Sequence, residues 1–347
     1  MASVLNLESG SIFNGNPITF SVKPLVVNGS PSFHRMIFEV KCGMSGGNYE
    51  TLKMSVPITK ENGNDVTVDV SSALRSFRDS FEYSSEPGEL PVVKFNVSAH
   101  DEYMTNGEVH TTEPIYYPTA DSYLSTIFGG FSDMERMLSN GFKSVQRLSR
   151  KPSSSPQLAC VGETLVTAVA YAQPQDLLTS SDMAQPASLA TLITDEGQQT
   201  IGGISIYAMP RTEAEHRMEI RFINSFGVME SVSVPTPQNT TLPLSATPYY
   251  VSRQQTFSRM SRSVVKKEQG REKWRFVTDP LDEPWLRWYL EEFLLAQYAW
   301  IKIGGYWVPC TVMSEDEEVV FLDRTKEEML TVTFFLELDV KGNPYAV

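Results

Sequence analysis

The segment Gly43-Met44-Ser45-Gly46-Gly47 has the residue types and spacing of a catalytic motif, because G-x-S-x-G can form a turn that exposes a nucleophilic serine. Such a turn joins a strand to a helix. Here alternating apolar residues predict strands on both sides of the glycines, at 35–42 and 50–56. A glycine-rich hairpin loop therefore explains the segment better than a nucleophile.

The other residues that could act on a substrate or hold a metal are scattered. Each histidine and cysteine stands alone in the sequence, at His34, His100, His110, His216, Cys42, Cys160 and Cys310. This spacing favours neither a zinc site nor a disulfide framework. Glu291 and Glu292 are adjacent, but neighbouring residues of a helix point about 100° apart and do not form a catalytic pair. We therefore predict no catalytic residue, no metal site, no cofactor and no enzymatic activity.

Charge limits the partners of the chain. Its 347 residues include 29 Lys and Arg against 42 Asp and Glu, a net charge of -13, which disfavours binding to nucleic acid or anionic membranes. The sequence contains no apolar stretch of the ~18 residues that cross a bilayer and does not begin like a secretory signal peptide. We expect a protein without a membrane span that is made in the cytoplasm.

One segment departs from this acidic balance. Residues 253–275 hold eight basic and two acidic residues, a charge of +6, which leaves -19 for the rest of the chain. Opposite charges on two surfaces of one protein allow head-to-tail contacts between copies, and such contacts can close into rings. The candidate basic patch between subunits is Arg259, Arg262, Lys266, Lys267, Arg271 and Lys273, and its candidate acidic counterpart is Glu315, Asp316, Glu317 and Glu318. A solvated charged surface is the simpler alternative.

Alternating apolar residues predict a fold that is mainly β, with two antiparallel β-sandwich-like domains and a few helices. In the first domain, residues 1–117, the strands fall near 18–22, 35–41, 52–56, 66–70 and 93–97. Ser71 is the predicted N-cap of a short helix in this domain.

The middle of the chain, residues 118–200, is predicted to be a helical and loop-rich connecting region. Segments 123–128 and 134–138 could be helical, the Pro- and Ser-rich stretch 151–156 is typical of an exposed linker, and 173–200 of a surface loop.

The second β-rich domain, residues 201–347, contains the clearest helix, at about 283–297 with Asp282 as its N-cap. A hairpin with the turn Gly304-Gly305 and a final strand near 330–338 follow, and 235–250 is expected to be a loop. Trp285, Trp288 and Trp307 are candidate interface aromatics, since Trp is frequent in interface hot spots, and core packing is the simpler alternative.

The layout of this second domain resembles a known class of proteins. The resemblance depends on three segments, which are Phe222-Ile223-Asn224-Ser225-Phe226-Gly227, Glu283-Pro284-Trp285-Leu286 and Tyr306-Trp307-Val308-Pro309. Over about residues 217–340 it is similar to tail, tail-tip or baseplate proteins of tailed bacteriophages and prophages. The resemblance implies a non-catalytic virion protein, assembled in the host cytoplasm, that forms a ring or hub with copies of itself and other virion proteins. A carbohydrate-binding or receptor-binding β-sandwich module is the alternative, and a glycoside hydrolase whose carboxylates meet only in the fold is a further one.

Overall fold

A computed structural model shows the fold of the chain. It describes residues 4–9, 13–27, 31–44, 46–58, 65–78, 81–88, 91–130, 148–168, 188–242, 244–251, 262–269, 271–314 and 330–339. Over these ranges the chain is mainly β, as the sequence predicts, and its strand pairs are antiparallel with one exception.

The N-terminal part contains two sheets packed on a common core. Its strands are β1 (Leu5–Ser9), β2 (Thr19–Val22), β3 (Phe33–Met44), β4 (Glu50–Pro57), β5 (Val66–Asp69), β6 (Val92–Thr105), β7 (Glu108–Thr111), β8 (Ile115–Tyr117) and β9 (Leu124–Ile127). One sheet has the order β1-β2-β5, and the other has the order β4-β3-β6-β7, with β8 and β9 also paired to β6. Phe20, Phe38 and Phe95 are fully buried in the same cluster, so the alternating apolar residues form the core that their period of two predicts.

Local sequence signals account for two turns of this part. Asn106 and Gly107 join β6 to β7 with φ angles of 53° and 83°, the positive values that a type I′ hairpin turn requires. In the glycine-rich segment 43–47, Gly43 and Met44 end β3, and Gly46 and Gly47 lie between β3 and its antiparallel partner β4. Its interpretation as a hairpin loop is therefore confirmed.

The short helix α1, Ser71–Arg75, begins at the residue that was predicted to cap it. The N-cap position is occupied by Val70, so the prediction of Ser71 as N-cap is wrong. The side chain of Val70 makes no capping hydrogen bond. Asp69 supplies the acceptor instead, because its Oδ1 accepts the N–H of Ser71 at 2.9 Å and that of Ile18 at 3.1 Å. A 3-10 turn, Ser76–Arg78, follows the helix.

The middle of the chain contains more strand than the sequence predicts. Its strands are β10 (Gln157–Cys160), β11 (Thr164–Ala168), β12 (Ser188–Leu192), β13 (Gly197–Ile201) and β14 (Ile204–Met209). They form the sheets β10-β14-β13 and β11-β12, and β10 is parallel to β14. A 3-10 segment, Arg211–His216, follows β14.

Two predictions for this region are wrong where the structure describes it. Residues 124–127 are strand β9, because they pair with the long strand β6, and not helix. Residues 188–192 and 197–201 are strands within the predicted surface loop, since backbone pairing with β11 and β14 orders them although their side chains are mostly exposed. The predicted helix at 134–138 and residues 173–187 lie outside the described residues.

The C-terminal part is built on a seven-stranded sheet with the order β16-β15-β21-β22-β23-β20-β17. Its strands and those of a separate two-stranded ribbon are β15 (Arg217–Ile223), β16 (Met229–Pro235), β17 (Asn239–Thr241), β18 (Leu244–Val251), β19 (Arg262–Gln269), β20 (Lys273–Val277), β21 (Ala299–Ile303), β22 (Tyr306–Ser314) and β23 (Thr333–Leu338). Gly304 and Gly305 join β21 to β22 with φ angles of 57° and 89°, so the predicted hairpin is confirmed. The expected loop at 235–250 is wrong, because β17 and β18 lie there.

The predicted helix of this part is confirmed but is shorter. Helix α2, Glu283–Trp288, continues as a π-helical turn, Tyr289–Phe293, in which Leu294 N–H donates to Tyr289 O at 2.8 Å. Asp282 is its N-cap, as predicted, with Oδ1 accepting the N–H of Trp285 at 3.0 Å. The helix packs its apolar side on the seven-stranded sheet. It ends at Phe293 instead of 297, and the next residues include the exposed Leu295.

The N-terminal and C-terminal parts contact one another through a small apolar cluster. Phe13 and Val92 of the first pack with Phe226 and Val228 of the second, and all four are buried. At Gly129, which has a φ of 108°, a Cβ atom would lie 2.4 Å from the carbonyl oxygen of Ser225, so only glycine permits this backbone approach.

Candidate functional site

Part of the basic segment, residues 262–269, is one strand of a two-stranded ribbon. Strands β18 and β19 pair antiparallel from Leu244 opposite Gln269 to Val251 opposite Arg262, and among the described residues they pair only with each other. Eight paired residues at ~3.3 Å each give a length of about 25 Å. Arg262, Lys266 and Lys267 lie on β19, whereas Arg259 lies outside the described residues.

The ribbon continues from one edge of the seven-stranded sheet. The strands that lead into and out of the ribbon, β17 and β20, pair from Asn239 opposite Arg275 to Thr241 opposite Lys273. The pairing of β18 with β19, which begins with Leu244 opposite Gln269, is shifted by one residue relative to that register. A one-residue shift of this kind strengthens the local twist of a ribbon. The ribbon therefore extends from the end of the paired strands β17 and β20, whereas Lys273 of the basic segment lies within the sheet on β20.

Two residues of the predicted basic patch have partners within the same molecule. Arg271 Nη1 lies 2.7 Å from Asp339 Oδ1, and Lys273 Nζ lies 3.1 Å from Glu337 Oε2. Both pairs are partly exposed, and exposed ion pairs contribute roughly 0–1 kcal/mol, so they could exchange for contacts with a partner. The predicted acidic counterpart, 315–318, lies outside the described residues.

Two of the three tryptophans proposed for an interface belong to the core. Trp285 is 4% and Trp288 is 3% exposed, and their rings meet edge to face at 5.2 Å. Burial of these large apolar side chains between α2 and the sheet favours the core alternative, and the structure does not offer them to a partner. Trp307 is half-buried because the guanidinium of Arg221 covers its ring at 3.9 Å.

Arg221 also connects the two parts of the chain. Its side chain is only 5% exposed, and Nη1 donates to the carbonyl of Ser85 at 2.7 Å and to Glu86 Oε2 at 2.9 Å. The charge of a buried guanidinium is thus balanced by the N-terminal part while its face rests on Trp307. This contact fixes the orientation of Trp307.

A second buried ion pair lies at the same junction, where Arg150 meets Glu292 of the π-helical turn at 2.6 Å. Arg150 also donates to the carbonyl of Gly130 and the hydroxyl of Ser225, and it lies 4.2 Å over the ring of Phe226. Glu292 in turn accepts the N–H of Ser225 at 2.9 Å. The network joins residues that are 142 positions apart in the sequence.

The adjacent stretch 151–156 is only in part the exposed linker that its composition suggests, because Ser153 and Ser154 are exposed whereas the other four residues are half-buried. Lys151 Nζ donates to Ser231 O at 2.6 Å and to Gln157 Oε1 at 2.9 Å, and it lies 5.5 Å over Trp288. Burial lowers the pKa of Lys151 from 10.5 to about 8, against the opposing effect of the Glu230 carboxylate. The contacts of Lys151 leave no signal in the sequence, because Lys next to Pro and Ser is also typical of solvated linkers.

Two carboxylates, Glu163 and Glu219, line a pocket of about 260 Å³ beside β15. Burial raises the pKa of Glu163, whose oxygens accept the N–H of Cys160 at 3.0 Å and the hydroxyl of Ser233 at 2.9 Å. Glu219 accepts a backbone N–H and the ammonium of Lys302. All four carboxylate oxygens of Glu163 and Glu219 therefore accept hydrogen bonds from groups of the chain itself. These bonds hold the turn after β10 against β15.

The exposed Tyr49 and the half-buried Tyr123 form an aromatic pair that resembles part of a carbohydrate platform. The rings of Tyr49 and Tyr123 lie 4.7 Å apart at 33°, and Lys41 Nζ lies 5.8 Å and 5.6 Å from their centroids. The hydrogen bond from Lys41 to Tyr123 raises the pKa of the lysine. Aromatic faces beside a donor are the groups with which the carbohydrate-binding alternative would hold a sugar ring.

Within the described ranges, no group of three or more His, Cys, Asp or Glu side chains is placed to hold a metal ion. None of the helices described there is long and apolar enough to cross a membrane. Comparisons of the chain with protein-family models, with curated proteins and with solved structures found no match.

Proposed function

We propose that the protein is a non-catalytic assembly component, of the kind found in the tails of bacteriophages, that joins copies of itself and other virion proteins into a ring or hub. The observation that carries this proposal is the basic ribbon of β18 and β19, which extends about 25 Å along its strands and pairs with no other described strand. The resemblance of residues 217–340 to tail proteins supports the same class of function.

The energetics of a two-stranded ribbon favour a partner. An isolated pair of strands is marginally stable in water, and stability ordinarily requires a third strand or a packed face. The ribbon of this chain lacks a third strand among the described residues, so a neighbouring subunit would supply one.

Charge favours a second copy as that neighbour. The segment 253–275, which includes β19, carries +6 while the remainder of the chain carries -19, so this segment of one molecule is attracted to the acidic remainder of another. A head-to-tail contact of this kind uses two different surfaces, and repetition of it gives a closed ring when the rotation between neighbours permits. The virion would be the location of such an assembly.

The test reverses the charge of the ribbon in the variant Arg262→Glu/Lys266→Glu/Lys267→Glu. Its matched control, Lys23→Glu/Arg75→Glu/Arg211→Glu, makes the same change of net charge at exposed positions away from the ribbon. Light scattering after size exclusion should show an assembled wild type and control, and a ribbon variant no larger than twice the chain mass of 38.9 kDa. Circular dichroism should show the same β signal for the ribbon variant as for wild type, so that a loss of assembly is not a loss of fold. A ribbon variant that assembles like wild type at the same concentration would contradict the proposal.

A further inference from the structure

Strand β12 offers a second surface for association, separate from the ribbon. It pairs along its whole length with β11, from Ala168 opposite Ser188 to Thr164 opposite Leu192, and no described strand pairs with its other edge. The unpaired N–H and C=O groups of such an edge can receive another extended strand.

The side chains of β12 do not protect this edge. Leu189 is 52% and Leu192 is 57% exposed, and Ala190 and Thr191 between them are also exposed. The strand contains no charged residue and no proline, the residues with which proteins ordinarily block pairing at an edge. The edge strand β4, by comparison, contains two glutamate or lysine residues and a proline.

We propose that β12 pairs with β12 of a second copy, antiparallel and centred on Ala190, to form a two-fold symmetric dimer. In this register Ser188 faces Leu192 of the second copy, and Leu189 faces Thr191. The contact is self-complementary, because both copies contribute the same uncharged strand and each covers the exposed leucines of the other.

The charges that follow the strand select the antiparallel arrangement. Asp195 and Glu196 lie just beyond β12 and are exposed. In a parallel pair the acidic residues of two copies would lie about 5 Å apart, at the spacing of neighbouring strands. In an antiparallel pair centred on Ala190 they lie at opposite ends, roughly 30 Å apart, which exceeds the Debye length of about 8 Å at physiological ionic strength.

A cysteine scan tests both the contact and its register. In the proposed dimer the two copies of Ala190 face each other across the two-fold axis, at the Cα distance of about 5 Å that a disulfide accepts. The two copies of Leu192 would be about 13 Å apart, beyond the reach of a disulfide. The native cysteines Cys42, Cys160 and Cys310 are buried and do not compete.

Ala190→Cys should form a covalent dimer under a mild oxidant at least about ten times faster than Leu192→Cys. Leu295→Cys is the control for random collision, because Leu295 is 72% exposed and lies just after the π-helical turn Tyr289–Phe293. Equal rates for the Ala190 and Leu192 variants, or rates no higher than that of the Leu295 variant, would overturn the proposal. The ribbon charge reversal should leave the Ala190→Cys cross-link unchanged, so failure of the ribbon proposal and failure of this one are distinguishable.

Discussion

Removal of the Lys151 ammonium should change how the stability of the protein depends on pH. The half-buried lysine has a pKa of about 8 in the folded chain, whereas the usual value is 10.5. Between these values the unfolded chain holds the proton that the folded chain has released, so the free energy of unfolding rises with pH. A pKa difference of this size corresponds to roughly 3 kcal/mol at about 1.4 kcal/mol per unit.

The assay compares wild type with Lys151→Met by urea unfolding at several pH values from 7.5 to 10.5. The wild-type free energy of unfolding should rise by roughly 3 kcal/mol relative to the variant across this range, since only wild type has the titrating ammonium. Taking the difference removes the titrations that both proteins share. The exposed substitution Lys23→Met is the control and should follow wild type. Parallel curves for wild type and Lys151→Met would show that burial in the fold does not lower the pKa of Lys151.

Two further substitutions test the local structure. Asp282→Ala removes the acceptor for the Trp285 N–H and for the hydroxyls of Ser154 and Ser155, and it should lower the free energy of unfolding by about 1 kcal/mol or more in urea titrations. Gly129→Ala places a Cβ 2.4 Å from Ser225 O at a φ of 108°, and it should cost at least about 2 kcal/mol, measured as a lower melting temperature.

Each result has a contrary outcome. Asp282→Asn keeps an acceptor at the cap and should retain most of the stability that Asp282→Ala loses; equal losses would argue against the cap. Gly46→Ala is the control for Gly129, because Gly46 also has a positive φ but no atom within 4 Å of the added Cβ. Similar melting temperatures for the two glycine variants would show that the close approach at Gly129 does not matter.

Local signals predicted a large part of the fold. The strands with alternating apolar residues, the Asp282 cap and the Gly304-Gly305 turn are set by neighbours in sequence, and the structure contains all of them. Strands β12 and β13 were missed because their residues are mostly polar or exposed, so backbone pairing with β11 and β14 decides their conformation.

The junction could not be predicted from sequence for a different reason. Arg150 and Glu292 are 142 positions apart, and no pattern of spacing indicates such a pair. The same limit applies to Arg221, which reaches Glu86 across 135 positions and covers Trp307. The sequence shows that basic residues are concentrated in one segment. It does not show that part of this segment pairs with β18, because that pairing is known only from the register of β18 and β19.

The most direct test of the assembly role is the mass of the unmodified protein in solution. Light scattering over a hundredfold range of concentration should show discrete species at multiples of 38.9 kDa that dissociate as salt screens the ribbon contact. A single species at 38.9 kDa at every concentration and salt would contradict the proposal.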